Sequence, residues 1–201
     1  MRYRAICVIL IAVCCLLLMT GSAATAQSTP DERPMLAYSS DRDGDFEIYV
    51  WDGEQTINVS QNSKLSDTVP VWSADGRLAW QAVDAEYRAD VYVWDGEQTI
   101  NLSDHPAADS DPAWSPDGQL AWVSNRDGDL EIYVWDGQDI VNVSQHLAED
   151  RMPVWSADGR LAWMSYRNNN GDIYVWDGED VVNISQYYGD DSHPRWSADG
   201  R

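Results

Sequence analysis

Cysteine is nearly absent: Cys7, Cys14 and Cys15 are the only three in 201 residues, and all lie close to the N-terminus. The rest of the chain therefore has no disulfide, no thiolate metal site and no cysteine nucleophile. Positive charge is also scarce, with 13 lysines and arginines against 34 aspartates and glutamates. A surface of that sign repels phosphate backbones and anionic headgroups, and it attracts cations or basic protein faces. Nucleic acid is disfavoured as a partner. The sequence contains no G-x-S-x-G elbow, no H-E-x-x-H and no glycine-rich phosphate loop. After Met19 no apolar run approaches the roughly 20 residues that span a bilayer.

What is present begins with a leader. Met1 to Arg4 carries two arginines, Ala5 to Met19 is apolar throughout, and Ala24-Thr25-Ala26 closes a small, polar stretch. This order reads as a secretory signal peptide over residues 1–26. A lipoprotein signal would place a small residue before its cysteine, but Val13 and Cys14 precede Cys14 and Cys15. Export to the periplasm or the exterior is expected, with no membrane insertion after cleavage. The leader holds two of the 13 basic residues and none of the 34 acidic ones, so its removal leaves a net charge of −23. Residues 27–34 are polar and read as a flexible lead-in.

From Met35 onward the chain repeats. Trp72, Trp114, Trp155 and Trp196 are 42, 41 and 41 residues apart. Trp51, Trp94, Trp135 and Trp176 are 43, 41 and 41 apart, and Trp80, Trp122 and Trp163 are 42 and 41 apart. These series hold all 11 tryptophans. A period near forty residues with several short strands per copy is the mark of a propeller. In the copy starting at Pro112, the strands are Pro112–Ser115, Leu120–Val123, Glu131–Trp135 and Ile140–Ser144. Pro116-Asp117-Gly118 and Asp136-Gly137 supply turns. Ile132 to Trp135 is apolar on both sides, as expected of a sheet covered on both faces, so the tryptophans are assigned to packing between blades. The one-residue excesses of the first spacings fall in 61–69 and 81–90, between strands.

PVWSADGRLAW, PAWSPDGQLAW, SNRDGDLEIYVWDG and NLSDHPAADSDP together resemble the TolB-like β-propeller repeat. That pattern runs P-x-W-S-P-D-G, an apolar strand, S-x-R-D-G-x-x-x-I-Y, then a closing L-T/S. The match covers Met35 to Arg201, with tryptophan in place of the family's usual phenylalanine in the second strand. The resemblance implies an exported propeller that serves mainly protein–protein contact. The family's namesake carries an N-terminal domain and six blades, which this sequence does not match. A role in the Tol–Pal system is therefore not carried over.

The expected fold class is all-β: a propeller of about four four-stranded antiparallel blades. Three blades are complete in sequence, 70–111, 112–152 and 153–193. Residues 35–69 supply three strands and 194–201 one, and pairing Pro194–Ser197 beside Leu36–Tyr38 would make a fourth blade. The sequence stops just after a turn that normally launches another strand, which favours an incomplete ring or a fragment of a longer propeller.

Four groups of residues are candidates for function. Asp41–Asp45 and Asn125–Asp129 look like calcium loops, but glycine falls at position 4 rather than 6, so they read as β-turns. The corresponding stretches Asp84–Asp90 and Asn168–Asp172 lose the pattern altogether. Asn58, Asn101, Asn142 and Asn183 each open an N-x-S on the fourth strand, which reads as part of the repeat. Asp67, Asp109, Asp150 and Asp191 recur three residues before each opening proline. Asn62, His105, His146 and Tyr187 recur two residues after each closing serine. In a propeller both sets belong to the connections between blades, at one end of the central channel. Together they form the candidate binding site for a basic protein or peptide, against the alternative that each aspartate bonds its own loop.

No cofactor is expected, although such a ring of aspartates could hold a cation such as calcium. The expected function is an exported acidic scaffold or protein-binding module without catalytic activity of its own. The alternatives are a metal-dependent polysaccharide lyase or hydrolase using His105, His146, His193 and loop carboxylates, and a fragment of a longer propeller.

Overall fold

The computed structural model describes residues 35–200, so the expected signal peptide (1–26) and expected lead-in (27–34) lie outside the described residues. Every described element is a β-strand. Blade 1 is β1 (Leu36–Ser40), β2 (Glu47–Trp51) and β3 (Thr56–Asn58). Blade 2 is β4 (Ser66–Trp72), β5 (Leu78–Val83), β6 (Ala89–Trp94) and β7 (Thr99–Asn101). Blade 3 is β8 (Asp109–Trp114), β9 (Leu120–Ser124), β10 (Glu131–Trp135) and β11 (Ile140–Asn142). Blade 4 is β12 (Asp150–Trp155), β13 (Leu161–Ser165), β14 (Asp172–Trp176) and β15 (Val181–Asn183). Within each blade consecutive strands pair antiparallel, which makes one three-stranded and three four-stranded sheets.

The repeat motif explains its own turns. In the first hairpin of blade 2, Ser73 Oγ accepts the Arg77 N–H at 2.8 Å, and Gly76 takes φ +88. In the β6–β7 hairpin, Asp95 Oδ1 accepts the N–H groups of Glu97 (2.9 Å) and Gln98 (2.8 Å). N-x-S closes the blade: Ser144 Oγ accepts the Ile132 N–H at 2.9 Å, while Asn142 Oδ1 accepts the Gln145 N–H at 2.9 Å. The asparagine and serine thus satisfy backbone groups where the fourth strand ends.

Large side chains of one blade fit small ones of the blade before. Trp80, Trp122 and Trp163 have no solvent exposure. Trp122 packs in one cluster with Ala79, Val91 and Val93 of blade 2, and Trp163 with Ala121, Val123 and Val134 of blade 3. The alanine in each L-A-W strand makes room for the next blade's indole. Each buried tryptophan contributes roughly 5 kcal/mol by area. The two extra residues in blade 2 do not enlarge loops; both lengthen strands, adding the rung Ser66–Val83–Ala89.

The four blades pack in chain order, β1 on β4, β5 on β8 and β9 on β12. They form an open arc. The pairing of Pro194–Ser197 with blade 1 does not form: among the described residues blade 1 has three strands, and residues 191–197 belong to no sheet. They follow the path of a further first strand beside blade 4. His193 repeats the left-handed φ of Val69, Asp111 and Met152 (58° against 56°, 54° and 58°). Trp196 Nε1 donates to Val154 O at 3.1 Å, as Trp155 Nε1 does to Ala113 O at 3.0 Å. The Trp196 bond and the Asp191 N–H to Gly171 O bond hold this segment beside blade 4.

Candidate functional site

The aspartates expected in the connecting loops are placed inside the blades. Asp67, Asp109 and Asp150 lie on the first strands β4, β8 and β12, and none is exposed. A buried indole N–H needs an acceptor, and each aspartate provides it. Trp80 Nε1 reaches Asp67 Oδ1 at 3.0 Å, Trp122 reaches Asp109 at 3.0 Å, and Trp163 reaches Asp150 at 3.1 Å. Arg126 and Arg167 then pair with Asp109 (3.0 Å) and Asp150 (3.3 Å). Asp67 is met by the Asn62 amide at 2.6 Å instead, and its burial raises its pKa to about 6. The expected ring of partner-facing carboxylates is therefore corrected: these three are buried in the blades and each is bonded to its own blade's indole, Asp109 through Oδ1 alone. Asp191 is half-buried, and its N–H donates to Gly171 O at 2.6 Å.

The second set caps its own loops. Asn62 Oδ1 accepts the Leu65 N–H at 3.0 Å, His105 Nδ1 that of Ala107 at 3.1 Å, and His146 Nδ1 that of Ala148 at 3.1 Å. Tyr187 makes no such bond among the described residues and stands exposed. His193 faces Ser192 Oγ at 2.9 Å. Among the described residues no three histidines or carboxylates converge as a metal-ligand group. The loops with a calcium-like sequence are turns, closed by Gly44 N–H to Asp41 O (3.1 Å) and Gly128 N–H to Asn125 O (3.0 Å).

A run of exposed acidic side chains unbroken by lysine or arginine lies at the opposite end of the strands. Trp72, Leu78, Trp94 and Thr99 form the terminal rung of blade 2, so its β4–β5 turn (the first turn) and its β6–β7 turn (the second turn below) both leave from that end, and the β5–β6 turn leaves from the other. The other full blades repeat this rung. The first turns gather around one cavity of about 340 Å³, lined by Trp72, Trp114, Trp155 and Trp196 with the serines and alanines beside them. Arg77 staples blades 2 and 3 here, with Nη2 on Gly118 O at 2.9 Å and its guanidinium 4.4 Å from the Trp114 ring centre. Arg160 repeats both contacts on Gly200 O (2.6 Å) and Trp196 (4.6 Å).

Outside this cavity stand the second turns, residues 52–55, 95–98, 136–139 and 177–180. They carry nine acidic side chains and no lysine or arginine. Backbone N–H donors from Gln98, Asp139 and Asp180 hold Asp95, Asp136 and Asp177 below the usual carboxylate range. These charges are fixed. The W-D-G motif in every copy was their signal in the sequence.

No family model and no curated protein matches the chain. Among solved structures the arc is similar to β-propellers. It matches the putative TolB of Agrobacterium tumefaciens with a TM-score of 0.59 and 20% identity, over 74% of this chain and 60% of that one. It matches TolB of Acinetobacter baumannii at 0.61 and 20%, over 84% and 47%. A puromycin-hydrolyzing peptidase of Mycobacterium tuberculosis matches at 0.61 and 17%, over 80% and 29%. The chain thus spans about half the length of the TolB structures. The class is established: a β-propeller. Within that class its fold is TolB-like.

Proposed function

We propose that this protein is an exported binding or scaffolding module whose acidic turn face receives a basic protein or peptide. One observation carries the reading: nine acidic side chains on the second turns of successive blades, with no basic residue among them. Repetition around an arc sums their fields, which speeds and selects encounter with a partner of opposite charge. Likeness to TolB propellers supports a binding role in general, and the leader sequence supports export. The test is titration of the protein with a fluorescent oligolysine peptide at rising salt. Affinity should fall steeply as ionic strength rises toward about 1 M, where the screening length is only about 3 Å. Binding that ignores salt, or no binding at low salt, contradicts the proposal.

A further inference from the structure

Blade 4 departs from the repeat at one place, and the departures act together. Where blades 1 and 3 have Asp43 and Asp127, blade 4 has Asn168; where they have Asp45 and Asp129, it has Asn170. Phe46 and Leu130 become Gly171, and Glu47 and Glu131 become the shorter Asp172. Two negative charges and much side-chain bulk are gone. The sheet does not need this, since blades 1 and 3 build the same hairpin with the other residues. In the adjoining loop Tyr187 replaces the capping Asn62, His105 and His146. It is 74% exposed, and Tyr188 beside it is 99% exposed.

The result is a cleft of about 500 Å³ lined by Asn168, Asn170, Asn183, Gln186, Tyr187 and Tyr188. Its floor is braced. Asp172 accepts the side-chain amides of Asn168 (2.8 Å), Asn170 (3.0 Å) and Asn183 (2.8 Å), and the Asn168 bond in particular lowers its pKa. The Asn170 amide also donates to the carbonyls of Tyr187 (3.0 Å) and Gly189 (2.9 Å), which ties the tyrosine loop to the floor.

We propose that this cleft binds a neutral carbohydrate. The amide nitrogens are held by the floor, which leaves the side-chain oxygens of Asn168 and Asn170 as acceptors and the exposed tyrosine hydroxyls as donors or acceptors, the mixture that a ligand dense in hydroxyls requires. The tyrosines present flat apolar faces for the C–H side of a sugar ring, with a polar tip beside them. The volume suits a small ligand. No lysine or arginine lines the walls, so nothing there would hold an anionic sugar. The one carboxylate is already occupied by amides. Tyrosine and asparagine loops also serve protein recognition, but a concave, braced, charge-depleted cleft favours a discrete polyhydroxyl unit over a flat protein surface.

The test is a screen of the labelled protein on an array of neutral and charged glycans, followed by calorimetry with the best neutral hexasaccharide. Tyr188→Ala should weaken binding roughly tenfold or more with the melting temperature unchanged, because that ring is exposed and meets the likewise solvent-facing Tyr187 ring rather than the core. Asn170→Asp, which restores the residue of blades 1 and 3, should weaken binding and leave the sheet folded. Retention of no neutral glycan would overturn the proposal, as would retention of charged glycans or peptides alone. Wild-type affinity in both variants would overturn it as well.

Discussion

The indole Nε1 of Trp122 donates to Asp109 Oδ1 at 3.0 Å, and neither side chain has any solvent exposure. Blades 2 and 4 repeat the pair as Trp80–Asp67 and Trp163–Asp150. Blade 1, which among the described residues has no first strand to supply an aspartate, carries Tyr38 at the equivalent place, stacked 5.9 Å from Tyr49. Tryptophan in the second strand and aspartate in the first therefore form one device.

Breaking that device should cost more than either residue's size suggests. Asp109→Ala leaves the Trp122 N–H and the Arg126 guanidinium without their shared acceptor, a loss of about 3–5 kcal/mol. Asp109→Asn, which keeps one acceptor, should lose less. Trp122→Phe combined with Asp109→Ala should fall short of the sum, since the two share one bond. Urea unfolding of the wild type, the three single variants and the double variant measures this.

Asp67 sets a pH dependence of unusual sign for an acid. Its folded pKa is about 6 against the ordinary 3.8, so between those values the folded chain holds a proton that the unfolded chain has released. Its contribution is fully present below the unfolded value and is lost as pH rises through about 6, by up to roughly 3 kcal/mol. Asp67→Asn removes the titration. The stability of that variant relative to the wild type should therefore rise between about pH 4 and pH 7, and a flat difference would refute the assignment.

Two alanines of the same motif should respond differently to enlargement. Ala121 lies under Trp163 of the next blade, whereas Ala162 borders an open groove beside Pro194 and Trp196. Ala121→Leu should cost about 1–3 kcal/mol through overpacking. Ala162→Leu should cost less. Thermal unfolding of the two variants decides it.

Gln119 occupies the position where Arg77 and Arg160 form their staples. Gln119→Arg should let the guanidinium reach the Gly159 carbonyl and the Trp155 ring, as Arg77 reaches Gly118 and Trp114. A gain of about 0.5–1 kcal/mol is expected, read as a higher melting temperature. An unchanged or lower value would mean that blades 3 and 4 sit differently.

Much of this fold was legible because tryptophan spacing reports a repeat directly, and the turn residues mark strand ends. The first strands were misread at their starts. Residues 109–111 are Asp-Ser-Asp, and the left-handed Asp111 precedes a proline, so a strand that carries a buried carboxylate looks like a polar loop. The partner of that carboxylate lies 13 residues away across a hairpin, a relationship that local pattern does not display. The acidic face was hidden differently. Each W-D-G aspartate is needed by its turn, and only the stacking of blades shows that the turns share one end. The cleft in blade 4 did leave a trace, because residues 168–172 break the repeat, but Tyr187 joins it only through the fold.

Charge placement, rather than total charge, is what the proposed function depends on. The direct measurement compares oligolysine affinity in two triple variants of equal net charge. Glu97→Gln, Asp139→Asn and Glu179→Gln neutralise the turn face while keeping its capping aspartates. Asp104→Asn, Asp111→Asn and Asp129→Asn neutralise exposed carboxylates toward the other end. The first variant should lose roughly tenfold or more in affinity and bind with a weaker salt dependence, while the second stays near the wild type. Equal losses in both, or no loss in the first, would contradict a basic partner docked on the turn face.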